Sequence, residues 1–347
     1  MAESKEVIQT RMLSNISDEY DKTTGQFFYD VEMPVAIELE SMGIKADNIL
    51  NNGFADTAEN IYLDKVANEQ GVYRKSATKT TGIVTITGVV GALIPIGEMV
   101  ASDNVNYLFT QDAAIPVGGT IDVSVECEQY GIIGNVPVGA IKYFPKTLDG
   151  LQTVTNASAF TNGYAEEADE ELRGRYYIKV QTPTTSGNKY HYLNWAKEVT
   201  GVGDARVVPL WNGNGTVKVI IINSNKRAAD STLIDLVAAY IEDNRPIGAT
   251  VTVISAIEKA IDISATLTID SANYTLEGVK TSIETNIINY LKSVAFIDTY
   301  ISYAKIGNII FDTNGVLDYS ALTVNTGTAN ISILDTEVAV LGVVTVG

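Results

Sequence analysis

The chain has 347 residues, of which 46% are apolar and only 19% charged, and 42 acidic side chains against 24 basic ones leave it at −18. That much apolar sequence excludes a disordered chain and supports substantial cores in two or three domains. The negative balance repels nucleic acid and anionic membranes at long range, and no Lys/Arg cluster offsets it. One histidine, His191, and one cysteine, Cys127, exclude a His–Cys metal cluster and an intrachain disulfide framework. The low charged fraction has two readings: a surface rich in Thr, Asn and Ser, or surface buried against other subunits.

The opening stretch, MAESKEVIQTRMLSNISDEYDKTTGQFF, is polar and lacks an apolar signal region. No span has the length and hydropathy of a membrane helix, and the apolar run Val84 to Val100 is broken by Gly88, Gly91, Pro95 and Gly97. A protein made in the cytosol without a membrane anchor is the expectation. Residues 6 to 18 are expected to form a short amphipathic helix, followed by polar turns at Asp21 to Gly25. Residues 30 to 45 place Val31, Ala36, Ile37, Leu39 and Met42 at near-helical spacing. A polar loop is expected around Lys45 to Ala55. Residues 56 to 70 read as a helix, with Asp56 as cap, Glu59 three residues on, and Gly71 as its stop.

At Thr78 the pattern changes to short strands punctuated by Gly and Pro. Alternation is clear over Ile83 to Thr87, a further strand is expected at Asn106 to Thr110, and Ile121, Val123, Val125 and Cys127 share one strand face. YGIIGNVPVG, from Tyr130 to Gly139, is a compact run of turns. The acidic stretch from Glu166 to Glu171 opens a helix carrying Arg173 and Arg175, the favourable order for the helix dipole; Glu171–Arg175 and Asp169–Arg173 have i,i+4 spacing. After the loop PTTSGN a helix runs from Lys189 to Val199. Strands at Val202–Val208 and Gly215–Ile222 flank the turn WNGNG, and VKVIIIN is apolar enough for a central strand. A helix over 230–243 presents Leu233, Leu236, Val237 and Tyr240 on one face, and Thr250–Ser255 forms another strand. The last unit alternates over Asp262–Asp270. Helices follow at Leu276–Leu291 and Ser302–Ile310, then strands at Leu322–Asn325, Asn330–Ile333 and Val338–Val346. The fold class is therefore α+β and multidomain. It has a helical N-terminal region (1–77), a Gly-rich β domain (78–162), a central α+β domain (163–256) and a small C-terminal α+β domain (257–347).

Candidate chemistry is sparse. The acidic run lacks the ligand spacing of a calcium loop, so a solvated helix face paired with the arginines is the simpler reading. ITGVVG and WNGNG match no phosphate loop, and their glycines suit tight turns. The carboxylates offer many pairs for glycoside cleavage, but none stands out. Trp195 lies in a helix with Tyr192, where packing explains it. Trp211 borders a turn and suits an exposed or interface position. His191, among Tyr190, Tyr192 and Trp195, belongs to an aromatic cluster, and no signature places a nucleophile beside it. No catalytic, cofactor-binding or metal-ligating residue is assigned, and no cofactor is expected.

Taken in order, several segments resemble the baseplate J-like family of contractile phage tails and phage-derived contractile bacteriocins. RMLSNISDEYDKTTGQFFYD (11–30) is similar to its opening motif. YLDKVANEQGVYRKSAT (62–78) and GIVTITGVVGALIPIGEMVAS (82–102) resemble its entry into the β domain. GIIGNVPVGAI (131–141) is a further recurring turn. The strongest segment is EEADEELRGRYYIKVQTPTTSGNKYHYLNWAKEVTGVGDARVVPLWNGNGTVKVIII (166–222), and YISYAKIGNIIFDTNGVLDY (300–319) also fits. The resemblance implies a structural wedge subunit without catalytic residues, located in the baseplate of a virion or phage-tail-like particle assembled in the host cytoplasm. It also implies partners: a second copy in a dimer or ring, a tail-protein I-like wedge protein, and a small lysozyme-like wedge protein leading to the sheath. Neither nucleic acid nor membrane insertion is implied. A cell-wall glycan-binding or glycan-cleaving tail module is the competing reading. The candidate contact surfaces are the N-terminal helices (6–45), the acidic helix (166–175), the Trp211–Gly215 turn and the C-terminal unit. Residues 257–347 are expected to be removable, leaving a soluble remainder that no longer joins wedge to wedge.

Overall fold

A computed structural model describes residues 2–182 and 187–347; of the loop read at 183–188, residues 183–186 lie outside the described residues. The chain folds as two compact units. The first comprises residues 1–74 and 168–181, and the second residues 75–167 and 182–347.

The first unit is helical. It contains α1 (Lys5–Ser14), α2 (Phe27–Asn52), α3 (Asn60–Asn68) and α4 (Asp169–Gln181). Helix α2 runs on through the stretch expected to be loop, because nothing between Lys45 and Asn52 breaks a helix; Gly53 then stands at its C-cap. Helix α1 packs along one side of α2. Ala36 is buried there, Gln9 Nε2 donates to the Tyr29 carbonyl at 2.8 Å, and the Lys5 N–H reaches Glu40 Oε1 at 3.1 Å. Helix α4, drawn from the 163–256 stretch of sequence, packs against α3 through a small core of Leu63, Ala67, Val72 and Leu172.

The ends of α3 show how this unit is tied. Asp56 does not cap it: the helix begins at Asn60, and Glu59 at the N-cap makes no side-chain cap bond. Asp169, at the start of α4, accepts the Asn60 N–H at Oδ2 (2.8 Å). Its Oδ1 accepts from Arg74 at 2.6 Å, and Arg74 also reaches Asp64 at 2.7 Å. Gly71, at φ +70°, lets the chain reverse so that the Val72 N–H closes on the Ala67 carbonyl, as expected of a stop. On α4, Arg173 pairs with Glu170 and donates to the carbonyls of Ala55 (2.7 Å) and Ala58 (2.8 Å). The acidic run is thus only partly a solvated face. Glu167 lies before the helix, is buried, and accepts the Lys75 N–H, while Asp169 turns to Asn60 and Arg74. The long-range partner wins at Asp169 because a backbone N–H without an intrahelical acceptor needs one.

The second unit opens with β1 (Lys79–Gly88), β2 (Leu93–Ile94), β3 (Met99–Ala101), β4 (Asn106–Phe109), β5 (Ala113–Ala114), β6 (Thr120–Tyr130) and β7 (Leu151–Thr155). A barrel-like antiparallel sheet in the order β3-β4-β6-β1-β7 curls around one core, and β2 pairs with β5 beside it. Alternation decides which residues enter. Val84, Ile86, Val123, Val125 and Cys127 are buried, whereas Ile83 points outward. Tyr107 is fully buried and donates its hydroxyl to the Gly134 carbonyl at 2.8 Å; burial pushes the phenol far above its ordinary pKa. Gly134 has to be glycine, since a Cβ there would meet Thr80 Oγ1 at 2.6 Å and Cys127 Sγ at 2.8 Å.

The central layer has α5 (Lys189–Glu198), β8 (Val202–Pro209), β9 (Thr216–Asn223), α6 (Ser231–Asn244) and β10 (Thr250–Ser255). As its composition predicts, β9 is the middle strand, antiparallel to β8 and parallel to β10. Asn188 and Asp230 cap the two helices by accepting backbone N–H groups. Helix α6 buries Leu233, Val237 and Ile241, and Leu236 is exposed. The expected face was rotated because a 233/236/237/240 set leaves out Ile241, the next i+4 position after Val237.

The C-terminal layer follows with β11 (Ile257–Ile269), α7 (Leu276–Val294), β12 (Tyr300–Ile301), α8 (Tyr303–Phe311), β13 (Val316–Val324), β14 (Ile331–Ser332) and β15 (Glu337–Val346). Its sheet runs β13-β11-β15, with β15 parallel to β11 at the edge. Helix α7 covers it with Val279, Ile283, Ile287 and Leu291. A separate core joins this layer to the central one: Ile220, Ile222 and Ala256 pack with Ala295 and Val338. Arg227 reinforces the junction through two bonds to Glu258 (2.9 and 2.7 Å). Burial alone would raise the Glu258 pKa; the guanidinium and the Ala228 N–H outweigh it and hold the carboxyl below its ordinary value.

Two outcomes follow. Removing residues 257–347 uncovers Ile220 and Ile222, so the truncated chain should bind an apolar dye and aggregate, contrary to the expectation of a soluble remainder; a clean, monodisperse truncation would contradict the shared core. The Asp169 carboxyl is held below its ordinary value above all by the Asn60 N–H; burial opposes this, and Arg74 adds to the lowering. A depressed folded-state pKa stabilises above the unfolded value, about 3.9, and that contribution disappears as pH falls through the folded one. Asp169→Asn should therefore lower urea resistance at pH 7, with the difference shrinking as pH drops below about 4. An equal loss at pH 7 and pH 3 would show that the charge is not what ties α4 to α3.

Candidate functional site

The residues that sequence reading singled out for chemistry occupy structural positions. Cys127 is fully buried on β6, and burial pushes its thiol up. His191 stacks on Trp195 at 4.9 Å between ring centroids, and Trp195 meets Tyr192 edge-on at 5.1 Å. His191 Nδ1 accepts the Gly187 N–H at 3.0 Å, which leaves any ring proton of the neutral form on Nε2. Tyr192 and Ala196 anchor the same helix in the central core. Trp211 is partly exposed beside the turn, with Lys218 Nζ over its ring at 3.8 Å. Leu210, just before it, is exposed at φ +57°, so the turn holds a non-glycine residue in the left-handed region. Among the described residues no group of three or more His, Cys, Asp or Glu is arranged to hold a metal ion. No helix among them is long and apolar enough to cross a membrane.

The surface that demands an explanation is on α2. At 100° per residue, Phe28, Val31, Val35, Leu39, Met42, Ala46 and Ile49 fall within one arc of about 80°, with no charged residue inside it. None of the seven is buried; Met42 is 63% exposed and Ile49 74%. Across 26 residues this helix buries Ala36 alone, on the side that meets α1. Every step along it is three or four residues, the pattern of a seam that receives another helix. The sequence reading found the segment but mixed its faces, since Ala36 and Ile37 lie off the stripe. Stepping by three and four from Phe28 to Ile49 picks out the stripe directly. A shallow hollow lined by Lys45, Asn48, Ile49 and Tyr62 lies at the C-terminal end of the helix.

The remaining expected surfaces are partly used within the chain. The acidic helix spends Asp169 and Glu170 on Arg74 and Arg173. The Trp211–Gly215 turn stays outside. On the C-terminal unit, Ile257, Leu317 and Val343 are exposed.

Comparison with known proteins agrees with this arrangement of layers. The baseplate J-like protein barrel domain matches residues 83–163, the baseplate J-like central domain 184–255, and the baseplate J-like protein C-terminal domain 261–347. The phage-like element PBSX protein XkdT of Bacillus subtilis (strain 168) is 37% identical over 345 residues, covering 97% of this chain and 95% of that protein. The baseplate protein gp47 of Escherichia phage Mu is 31% identical over 158 residues, 45% of this chain and 44% of its own. A chain from the 6-fold symmetrised anti-feeding prophage baseplate spans 97% of both chains at 9% identity and a TM-score of 0.40, a distant likeness only. With three family domains in order and a full-length relative, the chain belongs to the baseplate J-like protein family, whose members are baseplate components of phage and prophage tail particles.

Proposed function

We propose that this chain is a structural wedge subunit of a contractile baseplate, in an infectious phage or a bacteriocin-like particle, and that it works by contact rather than catalysis. In this reading it self-associates and joins neighbouring wedges into a ring around the central hub. It also meets a tail-protein I-like wedge protein and, through a small lysozyme-like wedge protein, passes baseplate rearrangement to the sheath. The observation that carries the proposal is the uncovered stripe of α2. A helix about 39 Å long that exposes its apolar seam gains little from its own fold, and helices of this kind are stabilised chiefly by tertiary or quaternary packing. The stripe is therefore read as the place where a second copy, or the corresponding helix of a companion wedge protein, completes a bundle.

Family membership supports the non-enzymatic part. The two tryptophans support it too: Trp195 is packed against His191 and Tyr192, and Trp211 carries Lys218 Nζ over its ring. A ring needs each subunit to offer unlike faces, and the exposed α2 stripe and the C-terminal layer lie on different elements suited to that.

Val35→Glu combined with Met42→Glu places two charges in the stripe at positions already exposed in the single chain. The fold, read by circular dichroism, should be unchanged. Self-association measured by sedimentation velocity should weaken by about tenfold or more, and the variant should fail to enter particles. Wild-type association that persists in the double variant would remove α2 from the interface.

A further inference from the structure

We propose that Asn214 is a site of spontaneous covalent modification, at which the backbone nitrogen of Gly215 displaces ammonia from the Asn214 side chain and water then leaves a carboxylate in the β8–β9 turn. The chain has five Asn–Gly steps, beginning at Asn52, Asn162, Asn212, Asn214 and Asn314. Asparagine is a thermolabile residue, and a following glycine puts no Cβ in the path of the attack. In sequence the five steps are equivalent. In the fold they are not.

The reaction needs an asparagine side chain free to swing over its own backbone, a following N–H that no acceptor holds, and room for the peptide to turn. Asn162 lacks the first two. Its Oδ1 accepts the Thr81 N–H at 3.0 Å, its Nδ2 donates to Thr81 Oγ1 at 2.9 Å, and buried Gly163 donates its N–H to Asn135 Oδ1 at 2.9 Å. Asn52 is the last residue of α2, and the Gly53 N–H is taken by the Leu50 carbonyl at 3.1 Å. Asn212 is exposed, but the Gly213 N–H donates to the Leu210 carbonyl at 3.3 Å. Thr216 Oγ1 braces that same step, accepting the Asn212 N–H at 3.0 Å and donating to the Gly213 carbonyl at 2.7 Å. Asn314 is exposed as well, but Gly315 is wedged: a Cβ there would meet the Tyr274 ring at 2.6 Å and Val279 at 3.0 Å. Asn214 and Gly215 are both exposed. Among the described residues, neither the Asn214 side chain nor the Gly215 N–H has a hydrogen-bond partner. Beyond its chain neighbours, a Cβ on Gly215 would meet only the Gly248 carbonyl, at 3.3 Å.

The atoms balance without an oxidant or reductant. The Gly215 nitrogen gives up its proton and bonds to Asn214 Cγ, the bond from Cγ to the amide nitrogen breaks, and ammonia carries the proton away. Water then opens the cyclic imide at either carbonyl, giving aspartate or isoaspartate at position 214. Either product adds a negative charge to the turn that carries Trp211 under Lys218 Nζ. Isoaspartate also lengthens the backbone inside the loop that the Leu210 N–H and the Thr216 carbonyl close at 2.7 Å.

The test incubates the folded full chain in mildly alkaline buffer made with heavy-oxygen water. Peptides are then mapped by mass spectrometry, with the aspartate and isoaspartate forms separated. Asn214 should convert at least about fivefold faster than each of the other four, the ratio that one backbone hydrogen bond is worth as a barrier. Both product forms should appear, each carrying one heavy oxygen. In urea strong enough to unfold the chain, the five rates should draw together. The proposal is overturned if Asn214 keeps its amide in the folded chain, if any of the other four converts as fast, or if the same spread of rates persists in urea.

Discussion

Helix α2 sets the constraint on which the functional reading depends. It is the longest element in the chain, it carries seven apolar residues on one arc, and α1 covers a different side of it. Uncovered apolar surface of that extent marks a site of interaction in a folded protein. A chain with only 19% charged residues and a net −18 has little with which to attract a like copy at long range. In the proposed self-association, contact comes from short-range apolar packing, and α2 is where the fold exposes apolar surface for it.

The rest of the first unit holds that helix region together with polar ties. Arg74 bridges Asp64 and Asp169, Asp169 closes the start of α3, and Arg173 takes the carbonyls of Ala55 and Ala58 after α2 has ended. The bonds to Asn60, Ala55 and Ala58 satisfy backbone groups that a helix end or turn leaves open. The acidic and basic residues of α4 therefore act as fasteners as much as surface. The second unit is built differently. There the central and C-terminal layers share apolar residues, Ile220 and Ile222 with Val338 and Ala295, and cannot be separated without exposing them.

Local pattern made much of this legible. Two-residue alternation located β1 and β6 and placed Cys127 inside; the apolar run VKVIIIN gave the middle strand β9; Gly71 marked a helix stop through its positive φ. The misses share a cause, which is that the deciding partner is distant in sequence. Asp56 was a reasonable cap by spacing, yet the group that closes α3 lies more than a hundred residues on, at Asp169. The Lys45–Ala55 stretch looked polar enough for a loop, but helix continuation needs only the absence of a breaker. The core that residues 257–347 share with the central layer was not legible, because a shared core leaves no mark in composition. The α2 stripe was visible in principle and was blurred by including Ala36 and Ile37 from another face. The edge position of β15 required knowing strand order, which a single sequence does not state.

Because Cys127 is the only cysteine and is fully buried, a thiol introduced on α2 can be read alone. The most direct measurement is the maleimide labelling rate of Met42→Cys, in the dilute isolated chain and in intact tail particles. Subunit contact through α2 predicts rapid labelling of the isolated chain and protection of about tenfold or more in the particle. Equal labelling in both would contradict it, leaving α2 exposed in the assembly it is proposed to build.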